Sequence, residues 1–202
     1  RVQLVRIEYV DTDGEIPDEA SPRYGFIIES LESLARRLNA RPAELQGLPV
    51  SGYDRHQAAL VFLFQYLIAN TDFQLLRADR EEYCCHNVDL LEKGPEIIMV
   101  PYDFDLSGLV NARYAHPDPI LRIKRVRQRL YRGLCTEPAD LEAALKTIND
   151  RRGAVLASVM ETPGLSEDNA ETAKEFLQKF FEQAKNEKAL LRSLEKHCLD
   201  GY

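Results

Sequence analysis

The run Ala58 to Ala69 (AALVFLFQYLIA) is interrupted only by Gln65. A helix of this sequence has no polar face to offer water, so other elements must cover it on nearly all sides. It is shorter than the ~20 apolar residues that cross a bilayer, and no other stretch comes closer, so no membrane span is expected. Asp54, with Gln57 three residues later, resembles a capping box that opens this helix. Asn70-Thr71-Asp72 closes it. With 202 residues, the chain can bury such a core in one domain, or in one lobe and part of another.

The remaining elements arrange themselves around that helix. Arg1 to Val10 and Tyr24 to Glu29 read as two strands of an antiparallel hairpin, separated by the turn signal Asp11-Thr12-Asp13-Gly14 and a long loop. Leu31, Leu34 and Leu38 mark a short amphipathic helix. Asn39 to Tyr53 reads as a connector, and Phe73 to Cys85 as an irregular charged loop. Asn87 to Leu91 and Glu96 to Val100 predict a second hairpin around Glu92-Lys93-Gly94-Pro95. Ile120 to Arg132 has Ile120, Ile123, Val126 and Leu130 on one face, which predicts a helix stopping at Gly133. Thr136 to Met160 predicts one or two helices, and Pro163-Gly164 breaks them. Ser166 then caps one long final helix with Ala173, Phe176, Leu177, Phe180, Ala184, Leu191 and Leu194 inward. The class is α+β. The chain opens on Arg1 inside a strand pattern, so we expect a fragment or a processed product.

Composition narrows the function classes. A content of 45% hydrophobic and 29% charged residues is that of an ordinary globular protein. The net charge of −7 argues against a nucleic-acid partner. Cys84, Cys85, Cys135 and Cys198 show no C-x-x-C spacing, which argues against zinc. Paired, they imply an extracytoplasmic protein; unpaired, a cytoplasmic one. Adjacent Cys84 and Cys85 are expected to bond distant partners rather than each other.

The chemistry concentrates on three short segments. Ile97 to Val100 is an apolar strand that ends in Pro101-Tyr102-Asp103-Phe104-Asp105. Asp72 follows the buried helix, and His86-Asn87 precede the other hairpin strand. Transfer of a phosphoryl group needs a carboxylate beside the acceptor hydroxyl and hard oxygen ligands for divalent cations. Asp72, Asn87 and Asp103 occur in the order of the kinase catalytic Asp, Asn and metal-binding Asp.

With YGFIIES at Tyr24 to Ser30, NTD at Asn70 to Asp72, HNVDLL at His86 to Leu91 and PYDFD at Pro101 to Asp105, the chain resembles atypical kinases of the spore-coat CotH type. HipA-like and lipid kinases are more distant likenesses. The resemblance covers roughly Val2 to Asp105. It implies a protein-kinase-like fold with a partial small-lobe hairpin and hinge at 1–29 and a mainly helical large lobe at 30–202. It implies Asp72 as catalytic carboxylate, Asn87 and Asp103 as metal ligands, and Asp105 as a supporting or second-metal group. Backbone groups of Ile28, Glu29 and Ser30 would meet adenine. The cofactors would be ATP and Mg2+ or Mn2+, and the acceptor a hydroxyl of a protein or small molecule. Phe73 to His86 separate Asp72 from Asn87 by more than in the kinases compared. The glycine-rich loop and strand lysine would precede Arg1.

Other readings stand beside this one. The pocket would hold nucleotide or a partner without turnover, as in a pseudokinase, or the same acids would serve a metal-dependent phosphoesterase. Asn70 to Asp72 would simply end a helix, Asp103 and Asp105 would form an Asx turn, and His86 would be a hydrogen-bonded loop residue. Arg113, Arg122, Lys124, Arg125, Arg127, Arg129 and Arg132 face one acid, Asp118, between positions 113 and 132. That run would be a solvated helix face, or would steer a nucleotide or an acidic substrate.

Overall fold

A computed structural model of the protein describes residues 1–10, 12–14, 22–45, 47–48, 51–75 and 85–200. The fold is α+β, with one two-stranded and one three-stranded antiparallel sheet beside a helical body. Strands β1 (Val2–Ile7) and β2 (Arg23–Ile28) pair from Val2 opposite Ile28 to Ile7 opposite Arg23. Helix α1 (Leu31–Leu38) follows, and then the very short β3 (Arg41–Pro42), which the sequence pattern did not show.

Helix α2 (Arg55–Ile68) is the centre of the body. Ala58, Ala59 and Leu63 are 0% exposed and Phe62 is 1% exposed. Its neighbours are the three-stranded sheet and the helices α3 (Pro138–Asp150) and α5 (Glu167–Ala184). The Asp54 carboxylate accepts from the Gln57 backbone N–H at 3.0 Å, which is half of the expected capping box. The other half is not made. The Gln57 side chain turns instead to strand β5 (Glu96–Pro101), donating to Met99 C=O at 2.6 Å and accepting from Met99 N–H at 3.0 Å. A side-chain amide thus pairs with the buried strand as a neighbouring peptide would. His56 pairs with the buried carboxylate of Asp140 at 2.7 Å, joining the first turns of α2 and α3.

Strand β4 (Val88–Lys93) runs antiparallel to β5, with Val88 opposite Pro101 and Lys93 opposite Glu96, around the Gly94-Pro95 turn. Its other edge takes β3. Val88, Leu90, Leu91 and Met99 are buried, so this hairpin closes one side of α2.

Three expectations are corrected. Residues 120–132 form no α-helix: a 3-10 turn over Pro119–Leu121 ends at Arg122 in the left-handed region, and the chain then runs irregularly. Ile120, expected inward, is 78% exposed. The guanidinium groups of this run are drawn to carbonyls elsewhere in the fold. Arg129 donates to Leu67 C=O at 3.1 Å and Phe176 C=O at 2.7 Å, with its guanidinium 4.1 Å above the Phe176 ring. Those fixed partners override a helical repeat. Gly133 therefore caps nothing. It lies where a Cβ would come within 2.6 Å of Phe62 Cβ and 2.5 Å of the Tyr131 hydroxyl.

The long final helix is two helices, α5 and α6 (Glu187–Lys196), preceded by α4 (Arg152–Met160). Asn186 restarts it, accepting from Ala189 N–H at 3.2 Å, so that α6 turns back onto α3. Cys135 and Cys198 are joined in a disulfide, and Leu199 N–H donates to Gly133 C=O at 2.9 Å beside it. The pairing expected of Cys84 lies outside the described residues. Among the described residues no helix is long and apolar enough to cross a membrane.

Replacing Gln57 by Leu keeps the bulk but strips the partners from Met99 N–H and Met99 C=O. Leaving a buried donor and acceptor unmade costs about 1–3 kcal/mol. The denaturation midpoint should fall accordingly with an unchanged m-value. A midpoint equal to the parent's would show that the pairing does not hold the helix to the sheet.

Candidate active site

The hairpin places two functional candidates at one end. Because Val88 lies opposite Pro101, Asn87 just before β4 and Asp103 just after β5 are near neighbours, and Tyr102 N–H extends the ladder to Asn87 C=O at 3.0 Å. Asn87 (φ 57°) and Asp103 (φ 50°) both adopt the left-handed conformation. Asn and Asp tolerate it better than other side chains that carry a Cβ.

Asp72 arrives from the other direction, off the end of α2. Ala69 turns the helix out (φ 51°) and Asn70 is buried behind it. The Asn70 amide donates to Gln65 Oε1 at 3.0 Å, and its oxygen accepts from Asp72 N–H at 3.1 Å. This explains the single polar interruption of the helix. Gln65 holds Asn70, and Asn70 aims Asp72.

The two arms meet. Asn87 Nδ2 donates to Asp72 Oδ2 and to Asp72 C=O, both at 2.8 Å. With both amide hydrogens so used, Asn87 Oδ1 is left without a donor among the described residues. His86 Nε2 lies 3.2 Å from the other carboxylate oxygen of Asp72. His86 is thus the hydrogen-bonded loop histidine that its sequence position suggested.

Burial, and then the nearby charge of Asp105, push the Asp103 carboxyl above the ordinary range, with a smaller push from Asp72. Among the described residues no cationic side chain pairs with Asp103 or Asp105. Asp105 accepts instead from the Tyr114 hydroxyl at 3.0 Å, which raises the Tyr114 pKa. Phe104, between the two acids, sets its ring edge-on to Phe64 of α2 at 5.6 Å. The loop is then fastened to the end of α2: Gly108 N–H donates to Ala69 C=O at 3.1 Å and Leu109 N–H to Ile68 C=O at 3.0 Å. A Cβ at Gly108 would stand 2.6 Å from Val126 C=O, so the close approach needs glycine.

Arg132 was not among the expected site residues, although its basic run stood out. Its guanidinium donates to Thr71 C=O and lies 5.6 Å from the Phe73 ring centroid. Burial lowers its pKa, while the charges of Asp118 and Asp72 hold it up. It braces the peptide that carries Asp72.

The expected adenine segment is separately placed. Ile28 is exposed, Glu29 is ion-paired to Arg37 at 2.7 Å and held down to about 2 chiefly by that bond, and Ser30 Oγ caps α1. Those side chains serve α1. The Glu29 C=O and Ser30 N–H have no partner among the described residues. They belong to one trans peptide and point opposite ways, so this peptide can offer a base one hydrogen bond. Among the described residues no hydrogen bond or ion pair links these residues to Asp72, Asn87 or Asp103.

The donor set suits a hard divalent cation. Asp103 and Asn87 Oδ1 are oxygen donors, and the repulsion at Asp103 is what a bound cation relieves. Among the described residues no three His, Cys, Asp or Glu side chains form a ready chelate. Magnesium, which keeps several waters and takes one or two carboxylates, does not require one. An apolar groove of about 760 Å³ lies elsewhere, between α2, α3, α4 and α5, and meets this loop only at its Phe104 to Val110 side. No protein-family model matches the chain, and comparison with curated proteins and with solved structures finds no significant match.

Asp103→Asn tests the electrostatics, since Asn keeps the left-handed geometry and removes the charge. A raised carboxyl pKa contributes stability below its ordinary value and loses it as pH rises through the raised one. Without divalent cation the variant should melt above the parent near neutral pH, and the gap should close in acid. Magnesium should raise the parent's melting temperature and leave the variant unmoved. Equal magnesium responses would remove Asp103 from any metal site.

Proposed function

We propose that the chain is a kinase-like phosphotransferase, resembling the CotH-type atypical kinases, which moves the γ-phosphoryl group of ATP to a hydroxyl of a protein or small molecule. The observation that carries this is the Asp72–Asn87 clamp with Asp103 in electrostatic reach, since three separate segments bring together the groups that the chemistry needs. In this reading β1 and β2 are part of the small lobe, residues 28–30 are the hinge, and the body from residue 30 is the large lobe.

Asp72 would orient the acceptor hydroxyl and take its proton as the new O–P bond forms and ADP leaves. His86 would have to release Asp72 Oδ1 for that. Asn87 Oδ1 and Asp103 would hold magnesium or manganese, with Asp105 supporting through its bond to Tyr114. The ion, when bound, neutralises charge on the phosphate oxygens. Arg132 would keep the Thr71–Asp72 peptide fixed while the acceptor changes. The Cys135–Cys198 bond favours an oxidising, extracytoplasmic compartment.

A second reading, a nucleotide-binding module without turnover, is favoured by one observation. Both carboxylate oxygens of Asp72 are already engaged, by Asn87 and by His86.

Calorimetry and a transfer assay separate these. Asp103→Ala should weaken magnesium-dependent ATP binding at least about tenfold, a difference of about 1.4 kcal/mol. Asp72→Asn should keep that binding and lower transfer by about 10²–10⁴-fold, the usual weight of a general base. Unchanged nucleotide affinity in Asp103→Ala would overturn the site. Parent protein that binds Mg–ATP tightly and transfers nothing would establish the module.

A further inference from the structure

The basic run left over from the sequence forms a second concavity. The loop 111–117 and the turn 124–127 enclose a pocket of about 370 Å³. Arg113, His116, Lys124, Arg125 and Arg127 line it, and no acidic residue does. Among the described residues none of these five pairs with a carboxylate, although the chain as a whole is acidic, at −7. Asp118 next door is not part of the lining, and its carboxylate accepts from Ile120 N–H at 2.9 Å.

Both walls are held in shape by the protein's own contacts. Gln128 closes the turn, donating its N–H to Arg125 C=O at 3.0 Å and accepting from Lys124 N–H at 3.3 Å. Arg127 lies 4.7 Å above the Phe176 ring and donates to Thr172 C=O. The facing loop is closed by Ala115 N–H to Ala112 C=O at 3.0 Å. Basic side chains gathered on one cleft, with no carboxylate in its lining, match the charge of a phosphate group. The cleft also adjoins the candidate active site, because Tyr114 of its loop donates to Asp105 and feels the charge of Asp103.

We propose that this pocket seats a phosphate monoester carried by the acceptor, so that the acceptor is a phosphorylated small molecule with a free hydroxyl. The acceptor role rests on the phosphotransferase reading; the anion site does not. Its volume of about 370 Å³ is that of a small-molecule pocket, with room for a phosphate and the small molecule that carries it, and not that of a folded protein surface.

The probes are inorganic phosphate and glycerol phosphate, titrated into the intact protein with no nucleotide and no divalent cation. Glycerol phosphate should bind more tightly than inorganic phosphate, and both should weaken with added salt. The double variant Arg113→Ala/Lys124→Ala should lose at least about tenfold in affinity, about 1.4 kcal/mol. Lys188→Ala on α6, which changes charge remotely, should bind as the parent does. Asp103→Ala, which removes only a neighbouring negative charge, should bind at least as tightly as the parent, so a failed kinase site leaves this result intact. Equal phosphate affinity in the double variant and Lys188→Ala would overturn the pocket. Glycerol phosphate binding no better than inorganic phosphate would overturn the acceptor role, as would tighter binding of an acidic peptide.

Discussion

The fold depends on a helix with no face to give to water. Once α2 must be covered all round, the hairpin, α3 and α5 have to converge on it, and each of its few polar groups becomes a connector. Asp54 starts the helix, and Gln57 joins it to the buried strand. Gln65 holds the residue that aims Asp72. Even the carbonyls at its C-terminal end, which no intrahelical donor can satisfy, are taken by the loop that follows Asp103 and Asp105. The candidate site therefore exists where the helix ends, and its two arms are positioned by the same burial that stabilises the core.

The site itself runs against the local preferences of the chain. Two residues adopt left-handed backbone, one carboxylate sits beside another without a cation, and Asp72 adds to the repulsion. Such features cost stability and persist where the surroundings dictate them. The nearby arginines do not cancel the negative charge. Arg129 is half-buried against Phe176, its pKa pulled down to about 10, and Arg132 grips a carbonyl. Positive charge is spent on backbone oxygens and on the neighbouring cleft, and the Asp103–Asp105 pair keeps its unpaired charge.

Much of this was legible in the sequence. Periodicity and end signals located α1, α2 and both hairpins, left one or two helices open over Thr136 to Met160, and placed Asn87 and Asp103 beside each other across strand ends. The clamp with Asp72 was legible only as a resemblance of order, since no local pattern tells that residues on either side of the 73–86 segment will meet. The segment after Pro119 misled because its spacing of Ile120, Ile123 and Val126 is helical, whereas its arginines satisfy distant carbonyls. The final helix misled because its apolar spacing carries on from Ala184 to Leu191 and Leu194 across Asn186, where a fresh cap starts the second helix. The role of Gln57 was half visible, since its backbone capped as expected while its side chain answered to a strand far along the chain.

The most direct test is a structure of the protein with a non-hydrolysable ATP analogue and magnesium. The account predicts a metal ion touching an Asp103 carboxylate oxygen and Asn87 Oδ1, with the terminal phosphate facing Asp72. Nucleotide seated away from these residues, or metal bound with Asn87 Oδ1 untouched, would contradict it.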